Sequence, residues 1–179
     1  MEGLVAALII IFAVLFISKS TSMTMSQSGE FIDTQLNLYG KDALMLLDQE
    51  DYYSDSLLKQ YVAGWDGAEA GPALAFPSSL ADLDNDLEKL LPDNIQYNVD
   101  FLYAHNGSVI VKPVIYHGMP PDNSVSVFQL VTLYDEYSTM SSGPEIHPEI
   151  HINNTIPDTD HDNSLLYNVV QVRCTLWYV

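Results

Sequence analysis

The stretch from residue 95 to residue 117, IQYNVDFLYAHNGSVIVKPVIYH, carries the local signal that decides the fold. Apolar and polar side chains alternate along its first half, which is the period of a β-strand with one buried face. His105-Asn106-Gly107 follows, and Asn-Gly favours the two-residue turn that joins antiparallel strands. Residues Ser108–His117 supply the returning strand. The stretch therefore predicts a β-hairpin.

Two more strands are predicted towards the C-terminus, one from about Ser124 to Tyr134 and one from Leu165 onwards. The residues between them, 138–163, are rich in Ser, Pro, Asn and Asp, which favours a long exposed loop. The last strand contains the chain's single cysteine, Cys174, on its apolar face. A single cysteine excludes an internal disulfide, and this position predicts a buried structural thiol.

Helices are predicted on the N-terminal side of the hairpin. A short helix is expected near Ser54–Val62, and a second begins at Ser79, has acidic first turns and ends at Pro92. Residues 1–49 contain no proline, so one long helix can cover them. Its first half is apolar on all sides, whereas its second half has apolar residues at helical spacing. These positions are Phe31, Ile32, Leu36, Tyr39, Ala43, Leu44 and Leu47.

Together these elements predict an α+β fold. The long N-terminal helix, residues 1–49, is followed by a short helix and an antiparallel sheet of about four strands, and residues 50–179 form a globular head domain. A chain of 179 residues is long enough for one head domain of this kind in addition to the long helix.

The charge of the chain is strongly acidic. Six Lys and Arg residues stand against 24 Asp and Glu residues, for a net charge of −18. No basic patch exists, which excludes a nucleic-acid partner. Such a charge repels itself unless salt screens it, because the Debye length shortens to about 3 Å at 1 M salt. The balance is typical of proteins from extreme halophiles, and we expect a halophilic source.

The N-terminal run GLVAALIIIFAVLFI, residues 3–17, is uncharged and apolar throughout. Only Met1 and Glu2 precede it, so the basic residues that orient a signal anchor are missing. We expect that a basic leader preceding Met1 has been removed. Fifteen helical residues reach only about 22 Å, less than a bilayer core needs, so the run suits a filament core and transient membrane residence.

The run Glu2-Gly3-Leu4-Val5-Ala6-Ala7-Leu8-Ile9-Ile10, with the closing strand over residues 169–177, resembles the type IV pilin superfamily, specifically archaeal pilin-like proteins of the haloarchaeal type. The resemblance implies a pilin-like fold, cleavage by a prepilin peptidase, membrane residence before assembly, and export by membrane machinery into an extracellular cell-surface filament. Archaellins belong to the same superfamily. Bacterial members place a glutamate at the fifth mature position, where this chain has Val5.

The leading interpretation is therefore a mature pilin that polymerises with itself and serves surface adhesion. Its expected filament-core residues are Glu2, Leu4, Val5, Leu8, Ile9, Ile10, Ile11, Phe12, Leu15 and Phe16. Three alternatives stay open at this point: an archaellum filament subunit, a monomeric membrane-anchored surface protein that binds a ligand or ion through residues 144–163, and a tethered metal-dependent enzyme.

Candidate ligands for a metal ion lie in the long loop. His147 and His151 are four residues apart, but Pro148 between them argues against the helix that would bring them together. If the segment is extended instead, residues 145, 147, 149 and 151 share one face and could hold a metal ion. Asp158, Asp160 and Asp162 begin like a calcium loop that lacks its glycine. We expect no cofactor, with Ca²⁺ at Asp158, Asp160 and Asp162 as a further candidate, and no catalytic motif is present. An enzyme is therefore not expected.

Two N-x-S/T sequons predict sites for N-glycosylation on a surface protein. They begin at Asn106, in the predicted hairpin turn, and at Asn153, in the predicted long loop.

Overall fold

In the computed structural model, the described residues are 29–50, 54–72, 74, 77–134, 152–153, 155–159 and 165–179. The chain divides into two compact units, with the boundary between Gln35 and Leu36. Residues 29–47 are helical and are called α1. The expected apolar first half of the N-terminal helix lies outside the described residues.

The sheet has four antiparallel strands, as the sequence predicts, and the α+β class is confirmed. The strands are β1 (Ile95–His105), β2 (Ser108–Tyr116), β3 (Val125–Tyr134) and β4 (Leu166–Tyr178). Their order across the sheet is β2-β1-β4-β3, so the C-terminal strand lies between β1 and β3. Every predicted strand agrees with the observed one to within one residue at most ends, because each has a clear alternating pattern.

The β1–β2 hairpin forms where it is predicted. Asn106 and Gly107 both have positive φ, 49° and 75°, which is the backbone of the turn that Asn-Gly favours. A β-bulge interrupts the pairing between Val99 and Asp100, so that Val99 lies opposite Ile115 and Asp100 opposite Pro113. The extra residue, Val114, is fully buried. The bulge changes the course of β2 beside Asp100.

Two shorter helices follow α1. Helix α2 (Leu57–Gly64) begins after Ser56, whose hydroxyl accepts a hydrogen bond from the Lys59 backbone N–H at 3.1 Å. A 3₁₀ turn (Ser78–Leu80) leads into α3 (Ala81–Leu90), which ends before Pro92. The short helix thus begins and ends two to three residues later than predicted.

One face of the sheet, called here the inner face, carries the hydrophobic core. Trp65 follows α2, is fully buried and meets the Phe101 ring edge-on at 5.6 Å. Cys174 also lies in this core, and its burial raises the pKa of the thiol to about 12. The prediction of a buried structural thiol is confirmed.

Helix α3 is tied to the sheet by a polar cluster around Asp84. The Tyr97 hydroxyl donates to Oδ1 of Asp84 at 2.7 Å, and Nε2 of His117 lies 2.8 Å from the same oxygen. The Tyr97 and His117 rings also contact each other, with centroids 4.7 Å apart. The bond to Asp84 raises the pKa of His117 against the opposing effect of burial, and the charge of Glu88 raises it further.

This cluster makes stability depend on pH. Folding raises the pKa of His117, so protonated His117 adds to the free energy of unfolding. This contribution is complete below the pKa of the unfolded state, about 6.5, and is lost as pH rises through the pKa of the folded state. We expect the full chain to be more stable than His117→Gln at pH 6, with a gap that narrows towards pH 9. Thermal unfolding of both proteins in detergent, monitored by near-ultraviolet circular dichroism, measures this difference in stability. A gap that is constant with pH would contradict the assignment.

Candidate interaction surface

Helix α1 packs its inner side on the sheet from Leu36 onwards. The buried residues recur at helical spacing and belong to the main hydrophobic core. They are Leu36, Ala43, Leu44 and Leu47, and Gly40 is buried on the same side. A Cβ atom at Gly40 would lie 2.6 Å from Cδ1 of Leu176 and 2.7 Å from Cγ2 of Val127. The glycine therefore allows the helix to approach β4 and β3 closely.

The opposite side of α1 is apolar as well. Leu38, Tyr39, Met45 and Leu46 form what we call the outer helix face, and their exposed fractions range from 37% to 63%. Lys41 and Asp42 are also exposed and contribute one charge of each sign. In a chain with a net charge of −18, this surface is neutral. Contiguous exposed apolar side chains of this kind mark interaction sites.

The apolar pattern of the sequence does not by itself indicate the outer helix face. The predicted stripe places Phe31, Ile32 and Tyr39 on the buried side, which is wrong, since these residues are 63%, 38% and 37% exposed. Leu38, Met45 and Leu46 were not assigned to either side. The signal that could have found them is a spacing of seven residues: Leu38 and Met45 are seven apart, as are Tyr39 and Leu46. Counting back seven gives Phe31 and Ile32, which are exposed too.

The end of α1 is fixed to α2 and to β3 by polar contacts. Oδ1 of Asp48 accepts a hydrogen bond from the Ser56 hydroxyl at 3.0 Å, and its Oδ2 accepts one from Nε2 of Gln129 at 2.7 Å. In α2, Nζ of Lys59 lies 2.8 Å from Asp55 and 2.6 Å from Glu50. Residues 36–47 are thus held on the sheet along their length and at their end, so the outer helix face is presented by a rigid support.

The close approach at Gly40 gives a stability prediction. Gly40→Val should destabilise the head by about 2–3 kcal/mol, because the added methyl groups must displace Val127 and Leu176 from a packed core. Gly64→Val, at the end of α2, is the matched control, since nothing lies within 4 Å of its Cβ position. Urea unfolding of the full chain in detergent compares the two variants. Equal stabilities would show that α1 is not held against the sheet at this point.

The comparison with protein families places these features in a wider group. A family described as a family of unknown function, DUF7288, matches residues 1–176. The chain belongs to this family. The match covers the apolar N-terminal run, α1, and all but the last residues of β4. No curated protein and no solved structure matches this DUF7288 chain.

The expected filament-core residues of this DUF7288 member, between Glu2 and Phe16, lie outside the described residues. Within the described part of the chain, no helix is both long enough and apolar enough to span a bilayer.

The candidate metal ligands are largely undescribed as well. His147, His151, Asp160 and Asp162 lie outside the described residues, whereas Asp158 is described and partly buried. In the described ranges, no three His, Cys, Asp or Glu side chains are grouped so that they could hold a metal ion. The expectations for metal ions stay predictions.

The two sequons have different surroundings. Asn106 is exposed at the tip of the β1–β2 hairpin. Asn153 is bound to the end of α2, where its side-chain amide donates to the Gly64 carbonyl at 2.8 Å and its backbone N–H donates to the Ala63 carbonyl at 2.9 Å. Both asparagines are exposed, and glycosylation at either site stays a prediction.

Proposed function

We propose that this protein is a structural subunit of an extracellular type IV pilus-like filament, assembled through its N-terminal helix and serving surface adhesion. The observation that carries the proposal is the outer helix face. It exposes apolar side chains on a helix whose other side is fixed to the sheet. A helix with two apolar sides needs a second neighbour in addition to its own domain.

The sequence before α1 supports the same assembly. Residues 3–17 are apolar on every side, and an all-round apolar helix must be enclosed by lipid or by other helices. If this run continues into α1, the outer helix face extends the contact between neighbouring subunits beyond the apolar run. Burying the exposed parts of Leu38, Met45 and Leu46 contributes about 1–2 kcal/mol each.

The acidic heads fit the outside of such a filament. Like charges repel when copies are brought together, so assembly favours contacts through neutral surfaces and salt to screen the remainder. The outer helix face meets the first condition, since Lys41 and Asp42 cancel. We further propose that a prepilin peptidase and a membrane-bound assembly machine process and export the subunit, which resides in the membrane until then.

Electron microscopy of filaments sheared from native cells at high salt, with mass spectrometry of their main protein, tests the proposal. We expect this chain to be the principal component. Recovery of the chain in the membrane fraction as a monomer would overturn the proposal in favour of an anchored surface protein. Loss of swimming without loss of adhesion in a strain that lacks the chain would favour an archaellum-like filament.

A further inference from the structure

The side of the sheet that faces away from α1 has a regular arrangement of residues, and we call it the outer sheet face. Rows of paired residues cross all four strands in the order β2-β1-β4-β3, and two neighbouring rows carry the argument. The first row is Pro113–Asp100–Arg173–Phe128, and the second is Val111–Leu102–Gln171–Leu130. Phe128 and Leu130, at one edge, are 60% and 58% exposed, and Val111, at the other edge, is 46% exposed.

Charge is nearly absent from this face. In these two rows the charged side chains are Asp100 and Arg173, which neutralise each other: Nη2 of Arg173 donates to Oδ2 of Asp100 at 3.0 Å. In a chain with a net charge of −18, a neutral face with apolar edges is where two identical, mutually repelling copies can approach.

A pocket of about 350 Å³ opens on the β2 side of the same face. Its lining includes the charged Asp100 and Arg173 and the apolar Pro72, Pro113 and Pro120. A cavity of about 150 Å³ is enough to hold a benzene molecule, so this pocket has room for an aromatic ring. The exposed Phe128 ring lies in the same row but at the opposite edge, so it cannot enter the pocket of its own chain.

A two-fold axis parallel to the strands, passing between β1 and β4, exchanges the two ends of each row. It brings Phe128 of a second copy over Pro113 and the pocket. It also places Asp100 opposite Arg173 of that copy and Val111 opposite its Leu130. We propose that the outer sheet face is a self-complementary docking surface for a second copy of this chain, with Phe128 of each copy inserted into the pocket of the other.

The arrangement has the features of a stable symmetric interface. A two-fold contact uses the same patch twice, so each pairing between unlike residues occurs twice. Sheets pack face to face at about 10 Å with strands nearly aligned, which this axis permits. Aromatic side chains in desolvated pockets supply most of the binding energy in such interfaces. The ion pairs of the two copies meet with opposite charges facing.

This contact is independent of the proposed filament. The outer helix face lies on the other side of the head, so both surfaces are available at once. A chain that forms both contacts links neighbouring filaments side by side, and a chain that forms only the sheet contact is a dimer.

Cysteine crosslinking tests the geometry on the full chain in mild detergent. In one molecule Val111 and Leu130 are three strand spacings apart, about 14 Å, whereas opposed side chains of two sheets packed about 10 Å apart point towards each other and are closer. We expect the double variant Val111→Cys, Leu130→Cys to form a covalent dimer with a short bis-maleimide that is too short to join the two positions within one molecule, detected by denaturing gel electrophoresis. Each single variant should stay largely monomeric, and the native Cys174 is buried and should not react. A double variant that crosslinks no better than the single variants would overturn the proposal.

A second measurement does not depend on introduced thiols. Phe128→Asp should shift the sedimentation of the detergent-solubilised chain from dimer to monomer, with a loss in affinity of at least 100-fold. Leu57→Asp is the control, since Leu57 is an exposed apolar residue at the start of α2 and away from the outer sheet face. A wild-type chain that sediments as a monomer, or equal dimer fractions in both variants, would contradict the proposal. Filament formation by either variant concerns the outer helix face and is read separately by electron microscopy.

Discussion

Replacing Leu38 and Met45 together by aspartate should abolish filament formation while leaving the head folded. Both side chains point away from the sheet and are more than half exposed, so their loss removes little packing within the domain. In the proposed filament each new carboxylate would be buried against an apolar neighbour, at a cost of at least about 2–3 kcal/mol. Two such costs in every subunit lower the association constant by about 10³-fold or more.

The measurement is a count of filaments sheared from cells that express the variant, together with circular dichroism of the purified chain. Asn37→Asp with Gln49→Asp is the matched control, because it adds the same charge to α1 and its end without entering the outer helix face. Filaments are expected from the control and not from the double variant. Normal filaments from both variants would show that the outer helix face takes no part in filament assembly. Unfolding of the double variant would show that these side chains stabilise the domain itself.

The sheet was predictable because its signals are local. Alternation of apolar and polar residues predicts each strand, and Asn106-Gly107 predicts the hairpin turn. Neither prediction depends on residues far away in the sequence. Both faces of the sheet follow from the same alternation. The order β2-β1-β4-β3 did not follow, since pairing of the C-terminal strand with β1 joins residues far apart in the sequence. Without that order, the row that joins Pro113 to Phe128 cannot be constructed.

The outer helix face escaped prediction for a different reason. Residues 44–47 are four consecutive apolar residues, and at 100° per residue they span most of the circumference of a helix. They cannot all face one sheet, so the sequence implies that some are exposed. Which ones are exposed depends on the rotation of the helix, and that is set by the close approach at Gly40. The sequence shows that α1 has more apolar residues than one sheet contact can bury, but it does not show how the helix is rotated about its axis.

The polar contacts behind α2 were also absent from the sequence interpretation. In the sequence, nothing distinguishes Lys59 from an exposed lysine on a short helix. Its side chain is then only 9% exposed, in contact with the buried Asp55 and the exposed Glu50. A buried lysine is rare without a partner, because the desolvation of its charge is costly. The environment of this residue is a property of the folded domain alone.

Replacing Lys59 by alanine should therefore destabilise the domain by about 3–5 kcal/mol, the cost of removing one member of a buried ion pair. Asp55, whose side chain is only 8% exposed, would keep its carboxylate in the interior without the lysine, in a protein that already has a large excess of negative charge. Urea unfolding of the full chain in detergent measures the change.

Two further variants separate the buried pair from an ordinary surface contact. Lys89→Ala removes an exposed lysine that pairs with Asp86 at 2.9 Å, and it should cost less than about 1 kcal/mol. Lys59→Met combined with Asp55→Leu replaces both charges by apolar side chains and should recover most of the stability lost in Lys59→Ala, because no charge of this ion pair then has to be desolvated. If Lys59→Ala costs no more than Lys89→Ala, the ion pair is open to water, and α2 is held against the end of α1 by its apolar contacts instead.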